Sequence, residues 1–315
     1  MSYIEKRKKN EKTYFYFVKR FRFMNENHAI KKFIGTSQNY SKEKYILDNI
    51  EEISNQEYNA KIKKLKSVIT KLSHNSELPE KMEYKSILID NLLEGKKCKD
   101  KIYTEFAKEF IFNSNNIEGS KIPPTEVKRI IDQGNSKYKD VNEIKEVKNS
   151  IEALKYLQTR FKFDLTSIKR LYHILTENLV RDGNKPYPKG FKKQENIVGN
   201  SKTTHPDDVE KELNKLFEWL HDNRKKEHPL ILAFEFHARF ERIHPFLDGN
   251  GRTGRLIMNK IIMSNGYFPI IIYKSNKTAY LNSLENSEKR KKYYQFMLEQ
   301  ADKTYDYILD TIKKY

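Results

Sequence analysis

One segment of this chain fixes its local fold before any other consideration enters. An apolar period through Leu232, Phe236 and Phe240 predicts a helix over residues 229–243, with Pro229 in the first turn where proline is tolerated. That helix must stop near His244, because a residue preceding proline is pushed out of the α region. A second apolar run, Leu256-Ile257-Met258 with Ile261-Ile262, predicts another helix over 252–265. The connection is His244-Pro245-Phe246-Leu247-Asp248-Gly249-Asn250-Gly251, followed by Arg252 and Arg255. The chain here has to fold as helix, tight turn, helix.

The residues in the turn are also a chemical set. The start of the second helix offers free N–H groups and a positive dipole end, which together cradle an anion. Gly249 and Gly251 permit positive φ and close approach of a ligand to the backbone. Arg252 and Arg255 are three apart, so both guanidinium forks can project from one helix face towards a polyphosphate. Asp248 suits Mg²⁺, which uses only one or two carboxylates. His244, with a ring that titrates near neutrality, suits a general base acting on a hydroxyl.

At 315 residues, with 37% hydrophobic and 12% aromatic side chains, the chain has ample length for a folded core. The single cysteine, Cys98, excludes an intrachain disulfide and any multi-cysteine zinc site. No secretory signal is visible at the start and no apolar run is long enough to span a bilayer, so a cytoplasmic protein without a membrane partner is expected. The net charge of +18 invites a nucleic-acid reading, although lysines spread over solvated faces explain it equally simply.

Three regions follow from the patterning. Residues 1–40 predict a small antiparallel β-sheet: an aromatic strand over 13–23, a turn at Asn25-Glu26-Asn27, a second strand over 29–35, and a third near Tyr3. Residues 41–100 predict a helical accessory region, with Ser41 as an N-cap, helices at 56–72 and 82–93, and a break at Gly95-Lys96-Lys97. Residues 101–315 predict a predominantly helical domain carrying the turn. Its helices are expected near 101–118, 125–133, 141–161, 165–179, 207–222 and 291–312, with an irregular insertion at 186–205.

The segment His244–Arg255 fills every specified position of His-Pro-Phe-x-(Asp/Glu)-Gly-Asn-Gly-Arg-x-x-Arg, and from about Glu105 to Gln300 the chain resembles the Fic family of the Fido superfamily. The resemblance implies a mainly α fold, a Fic-type helical core with a β-hairpin flap. It implies a protein adenylyltransferase, moving AMP from ATP to a Ser, Thr or Tyr hydroxyl of a target protein or of the chain itself and releasing pyrophosphate. On that resemblance His244 is the base and Asp248 holds Mg²⁺ between the α- and β-phosphates. Gly249, Asn250 and Gly251 cradle the phosphates, and Arg252 and Arg255 hold the β/γ end. Phe246 joins this nucleotide-binding group as the anchor of the loop, and Tyr280 and Asn286 lie where relatives contact the nucleobase.

Two further segments extend the resemblance. Ser114-Asn115-Asn116-Ile117-Glu118-Gly119 is similar to the inhibitory motif (Ser/Thr)-x-x-x-Glu-(Gly/Asn) on a helix near 104–118. It implies that Glu118 pairs with Arg255 and denies that arginine to the γ-phosphate. Residues 189–200 resemble the flap, whose edge at Asn196, Ile197, Val198 and Gly199 would dock a target by strand addition. Lys192 stands where relatives often carry Arg, a departure that loses a bidentate fork.

Other readings compete. Phosphotransfer, known in a branch where lysine replaces the second glycine, is disfavoured by Gly251. Removal of AMP is an alternative in which Glu118 orients a hydrolytic water, and another nucleoside monophosphate is an alternative donor group. A reading of a different class is a DNA-binding regulator acting through the basic sheet of residues 1–40. A metal hydrolase is disfavoured, since His237 and His244 are seven apart with no zinc-ligand pattern between them. Target and oligomeric state are left open.

Overall fold

The structure, a computed structural model, describes residues 2–24, 26–37, 40–72, 77–181, 184–198, 201–285 and 290–315. The amino-terminal strands β1 (Ser2–Lys9), β2 (Lys12–Phe23) and β3 (Glu26–Gly35) form an antiparallel meander in the order β1-β2-β3. Alternation along β2 turns Phe15, Phe17 and Phe23 inward, where they are buried, and leaves Arg20 and Arg22 outside. The aromatics at those three positions are therefore core, with no face left to stack on a base. Lys19 shares the inward face and is 1% exposed. Its ammonium is satisfied by Glu57 at 2.7 Å and Asn91 at 2.5 Å, an arrangement that buried charge requires.

Helices α1 (Lys42–Asp48), α2 (Ile50–Leu72) and α3 (Glu77–Lys96) cover the sheet. Ser41 caps α1 by accepting from the Lys44 N–H. Gly95 does not break the chain as its type suggests. It lies inside α3 because a Cβ there would meet Leu47 at 2.8 Å, so it marks the close crossing of α1 and α3. The break comes at Lys97, which takes φ 53°.

The carboxy-terminal body contains α4 (Lys99–Ile117), α5 (Pro124–Gln133), α6 (Val141–Thr159), α7 (Leu165–Thr176), α8 (Val209–Asn223), α9 (Pro229–Ile243), α10 (Asn250–Ser264), α11 (Lys277–Glu285) and α12 (Arg290–Ile312). Helix α11 is short and its pattern weak, and it escapes the sequence reading. The strand pair β4 (Val180–Arg181) with β5 (Lys185–Pro186) precedes the expected irregular insertion, while β6 (Ile197–Val198) with β7 (Ser201–Lys202) lies within it. Nearly every residue of α9 is buried, which makes it the central helix against which α8, α10 and α12 pack.

One continuous core joins Met82, Ile89 and Leu93 of α3 to Ile102, Phe234, Ile257 and Leu298. A buried polar network reinforces the junction. Glu83 accepts from Tyr267 at 2.6 Å, pairs with Lys61 at 3.1 Å and faces His228 at 3.4 Å. Burial alone would raise its carboxyl, yet Lys61 and His228 hold it down at about 2. The other nitrogen of His228 caps α9, accepting from Leu230 N–H at 3.2 Å. The amino-terminal region thus grips one end of the helix whose other end carries His244. No helix among the described residues is long and apolar enough to cross a membrane.

Candidate active site

Helix α9 ends as its sequence requires, with His244 in the left-handed region at φ 49° and its N–H donating to Phe240 C=O at 2.9 Å. Pro245 follows, and Phe246 plunges into the core, fully buried and stacked on Tyr172 with ring centroids 3.9 Å apart. Phe246 therefore anchors the turn; its side chain is too deep to be a nucleotide contact. Asn250 also departs from the cradle role. Its Oδ1 accepts from Phe246 N–H and its Nδ2 donates to Phe246 C=O, both at 2.8 Å, with the residue 1% exposed. Asn250 ties the turn to itself, and Asn250→Ala is expected to cost about 2 kcal/mol, since it strands a buried backbone N–H and removes a second bond. Chemical denaturation with the change read at constant m-value checks this.

Helix α10 begins at Asn250, two residues before the expected start, with Gly249 as N-cap at φ 78° and no side-chain cap. Its first-turn amides are left facing the turn. Asp248 is half-buried beside them and accepts from Gly249 N–H at 2.5 Å through one oxygen.

The two arginines do not act as a pair. Arg252 NH1 donates to Glu146 on α6 at 3.0 Å and its NH2 approaches the Tyr187 hydroxyl at 3.4 Å, with its side chain 4% exposed. It is committed to the scaffold. Arg255 reaches the other way, to α4: Nε donates to Ser114 Oγ at 3.0 Å, and NH2 to Ser114 C=O at 2.9 Å and Glu118 Oε1 at 2.7 Å. The carboxylate of Glu118 lies over the first turn of α10, where a Cβ on Gly251 would be 2.2 Å from Oε1. Although burial alone would raise it, Arg255 and then Arg252 hold Glu118 below the ordinary carboxylate range.

Glu118 is the C-cap of α4, and Gly119 follows at φ 113°. The preceding Asn113, Ser114, Asn115 and Asn116 are all buried despite being polar, a feature their sequence conceals. They are held by partners: Asn113 accepts from Lys274 N–H at 2.9 Å, Asn116 from Lys274 Nζ at 2.8 Å, and Asn115 from Ser150 at 3.3 Å. The Glu118 end of the helix is thus rigidly presented.

Burial, reinforced by the nearby Lys192 ammonium, pushes the His244 imidazole down to about 4, so the ring is neutral at pH 7. The ring keeps 17% exposure. The flap is shorter and later than expected, pairing Ile197 with Lys202 and Val198 with Ser201; Gly199 lies outside the described residues. Lys192 explains its attachment. Its Nζ, 4% exposed as a residue, donates to Asn196 Oδ1 at 2.7 Å, Thr203 Oγ1 at 2.6 Å and Ile243 C=O at 3.3 Å. Lys192 N–H donates to Pro245 C=O at 2.9 Å and Asn196 Nδ2 to Phe246 C=O at 3.2 Å, so the flap is stapled to the turn that follows α9. The three donors of an ammonium replace the expected arginine fork. Ile197 is 67% exposed on this flap.

Tyr280 is 1% exposed and its hydroxyl meets His237 Nε2 at 2.7 Å, behind Arg255, which corrects its reading as a nucleobase contact. Asn286 lies outside the described residues. Sequence reasoning missed Glu146 and Tyr187. Glu146 had a signal: a carboxylate on the stripe of Ser150, Ala153, Leu154 and Leu157, otherwise inward-facing.

Residues 162–262, which include the whole His244–Arg255 turn, match the model of the Fic/DOC family. This is the part of the chain that is similar to the Fic/DOC family. Proteins named "Protein adenylyltransferase Fic" are similar to it. That of Drosophila yakuba is 29% identical over 208 residues, 64% of this chain and 41% of that protein. That of Aedes aegypti is 28% identical over 241 residues, 74% of this chain and 47% of that protein. The chain thus spans less than half the length of these curated relatives. In fold it is similar to a Fic family protein from Desulfovibrio desulfuricans G20, with TM-score 0.63, 24% identity and coverage of 74% of this chain and 73% of that one. A Fic domain-containing signaling protein from Bacteroides thetaiotaomicron VPI-5482 gives TM-score 0.62 at 20% identity, over 70% of this chain and 91% of that one.

Proposed function

We propose that this Fic-domain protein transfers AMP from ATP to a protein hydroxyl, and that Glu118 restrains it. The observation that carries the reading is the combination, within one turn, of a neutral imidazole, a half-exposed carboxylate and an uncapped helix start. The names borne by the similar proteins support the same activity.

The polyphosphate of ATP would lie on the first turn of α10, where free amides and the helix dipole favour an anion. The donor set fits Mg²⁺: the Asp248 carboxylate, one oxygen of which accepts from Gly249 N–H, would hold the ion together with the phosphates. Bound there, Mg²⁺ would neutralise phosphate charge. A target segment adds to the exposed edge near Ile197 and brings its hydroxyl to His244. His244 Nε2 takes the hydroxyl proton, the oxygen bonds to the α-phosphorus, and pyrophosphate leaves with the electrons of the broken P–O bond. In-line transfer of this kind depends on positioning and charge more than on covalent chemistry.

Regulation follows from competition. The Glu118 carboxylate occupies the anion position and holds Arg255, so an incoming γ-phosphate must displace it. Incubation with ATP labelled at the α- or the γ-phosphate tests the reaction. Protein label from the α-phosphate alone is expected, and retention of γ-label would instead mean phosphotransfer.

The pH dependence has a defined sign. A base whose folded value lies at about 4 stays neutral throughout the physiological range. The labelling rate is expected to be flat from roughly pH 6 to 7.5 and to fall only as His244 protonates well below that. Single-turnover rates across a pH series check this; an acid limb centred near the ordinary imidazole value would contradict it.

A further inference from the structure

Three buried polar atoms, Glu241 Oε1, His237 Nδ1 and His244 Nδ1, converge in the α9–α10 interface with no side-chain partner at hydrogen-bond distance, while the Gly254 and Glu241 backbones face the two rings. Glu241 Oε1 stands 3.8 Å from His237 Nδ1, and its Oε2 stands 3.9 Å from His244 Nδ1. These separations exceed a hydrogen bond by well under 1 Å, within reach of a rotamer adjustment. The spacing is built into α9, since residues four and three apart share a helix face.

The neighbouring helix makes room for this carboxyl. A Cβ on Gly254 would lie 2.5 Å from Glu241 Oε1 and 3.0 Å from His237 Nδ1. Gly254 is one of the three positions the family pattern leaves unspecified, and any Cβ there would push the Glu241 carboxyl out of its place. Packing alone gives no reason for the arrangement, because an aliphatic side chain at 241 would fill the space without burying a carboxyl.

We propose that Glu241 is a positioning residue for His244, accepting a hydrogen bond from Nδ1–H so that Nε2 faces the target hydroxyl. The proposal rests on the AMP-transfer reading, in which His244 is the base. As Nε2 takes the hydroxyl proton, the ring becomes an imidazolium, and its Nδ1–H bond to Glu241 strengthens. No proton leaves Glu241.

The charge state of Glu241 suits this task. Burial pushes its carboxyl up to about 8, against the pull of Arg255, while Glu118 adds to the rise. At neutral pH it is a neutral acid, with one oxygen that accepts from His244 and a hydroxyl that donates to His237. The other charged groups facing His244 are Lys192 from the flap segment, Glu118 from α4 and Asp248 from the turn, and the Glu241 backbone carbonyl also faces the ring. Tyr293 of α12 also faces Glu241. On the other side of His237, Tyr280 pairs with Nε2 and faces Arg255, so a line of polar groups connects the contested arginine to the base.

Histidine tautomers report the contact without any need for catalysis. Two-bond ¹⁵N–¹H spectra of ¹⁵N-histidine protein, with His244 identified through its loss in His244→Ala, read which ring nitrogen holds the proton. The Nδ1–H form is expected in the unmodified protein and in Glu241→Gln, whose amide oxygen still accepts. In Glu241→Leu the tautomer ratio should move roughly tenfold towards Nε2–H, the equivalent of one hydrogen bond. Gly254→Ala, which displaces the carboxyl while keeping Glu241, should shift the ratio the same way and covers the case in which Glu241→Leu fails to fold. An unchanged His244 tautomer in either folded variant would overturn the proposal. In a Glu118→Gly background, Glu241→Leu should lower kcat for labelling by roughly 10–100-fold with KM for ATP unchanged, and Glu241→Gln should restore most of it. If no variant labels anything, the AMP-transfer reading fails, while the tautomer measurement still decides whether Glu241 orients His244.

Discussion

Glu118→Gly is expected to raise Mg²⁺-ATP-dependent labelling by roughly 10–100-fold, the equivalent of one lost charge-assisted hydrogen bond. The Glu118–Arg255 contact, at 2.7 Å with the arginine side chain 2% exposed, is the interaction that an incoming phosphate must replace. Without the carboxylate, Arg255 keeps Ser114 as a partner and the first turn of α10 is open to an anion. Glycine is tolerated at 118 because this residue ends α4 rather than lying inside it. The same substitution strands a buried guanidinium, so the melting temperature should fall while activity rises. Those opposite signs separate released inhibition from a general improvement in folding. Equal labelling by both proteins would remove Glu118 from regulation.

His244→Ala has the largest expected effect in the other direction, a loss of roughly 10²–10⁴-fold in labelling, the usual contribution of a positioned base. The fold should survive. The side chain is 17% exposed, and the helix-ending bond to Phe240 comes from the backbone. Alanine in the left-handed region costs about 1 kcal/mol, too little to unfold a domain of this size. Labelling is measured beside a circular-dichroism melt, so that lost chemistry and lost structure are read separately. A variant that retains full labelling with a native melt would assign the proton to another group.

What the sequence makes legible here is local. Pro229, His244-Pro245 and the apolar periods fix α9, the turn and α10, because each signal acts within a few residues. The pairing of Glu118 with Arg255 is legible only through resemblance, since 137 residues separate the partners. The fate of Arg252 is hidden for the same reason: Glu146 lies 106 residues away, and nothing near the turn shows that this arginine is already engaged. The burial of Lys19 and Lys192 is not legible in the sequence, because a lysine's environment depends on which carboxylates and carbonyls the tertiary fold brings to it. Asn250 looked like a phosphate contact and is a stitch in the turn, a role set by the exact closure of the loop on Phe246. The sequence patterns pick out the turn; the division of labour among its side chains is tertiary.

On the proposed reading, regulation and chemistry meet at one helix start. Glu118 of α4 covers it, Arg255 is shared, His244 stands at the end of the preceding helix, and the Lys192 staple fixes the flap beside them. Intact-protein mass spectrometry after incubation with ATP, GTP, UTP or CTP tests this most directly, applied to Glu118→Gly and to the double variant Glu118→Gly/His244→Ala. The account predicts that Glu118→Gly gains the mass of adenosine monophosphate with ATP and that the double variant gains nothing. Addition of a phosphate alone, or an equal gain by the double variant, would contradict it.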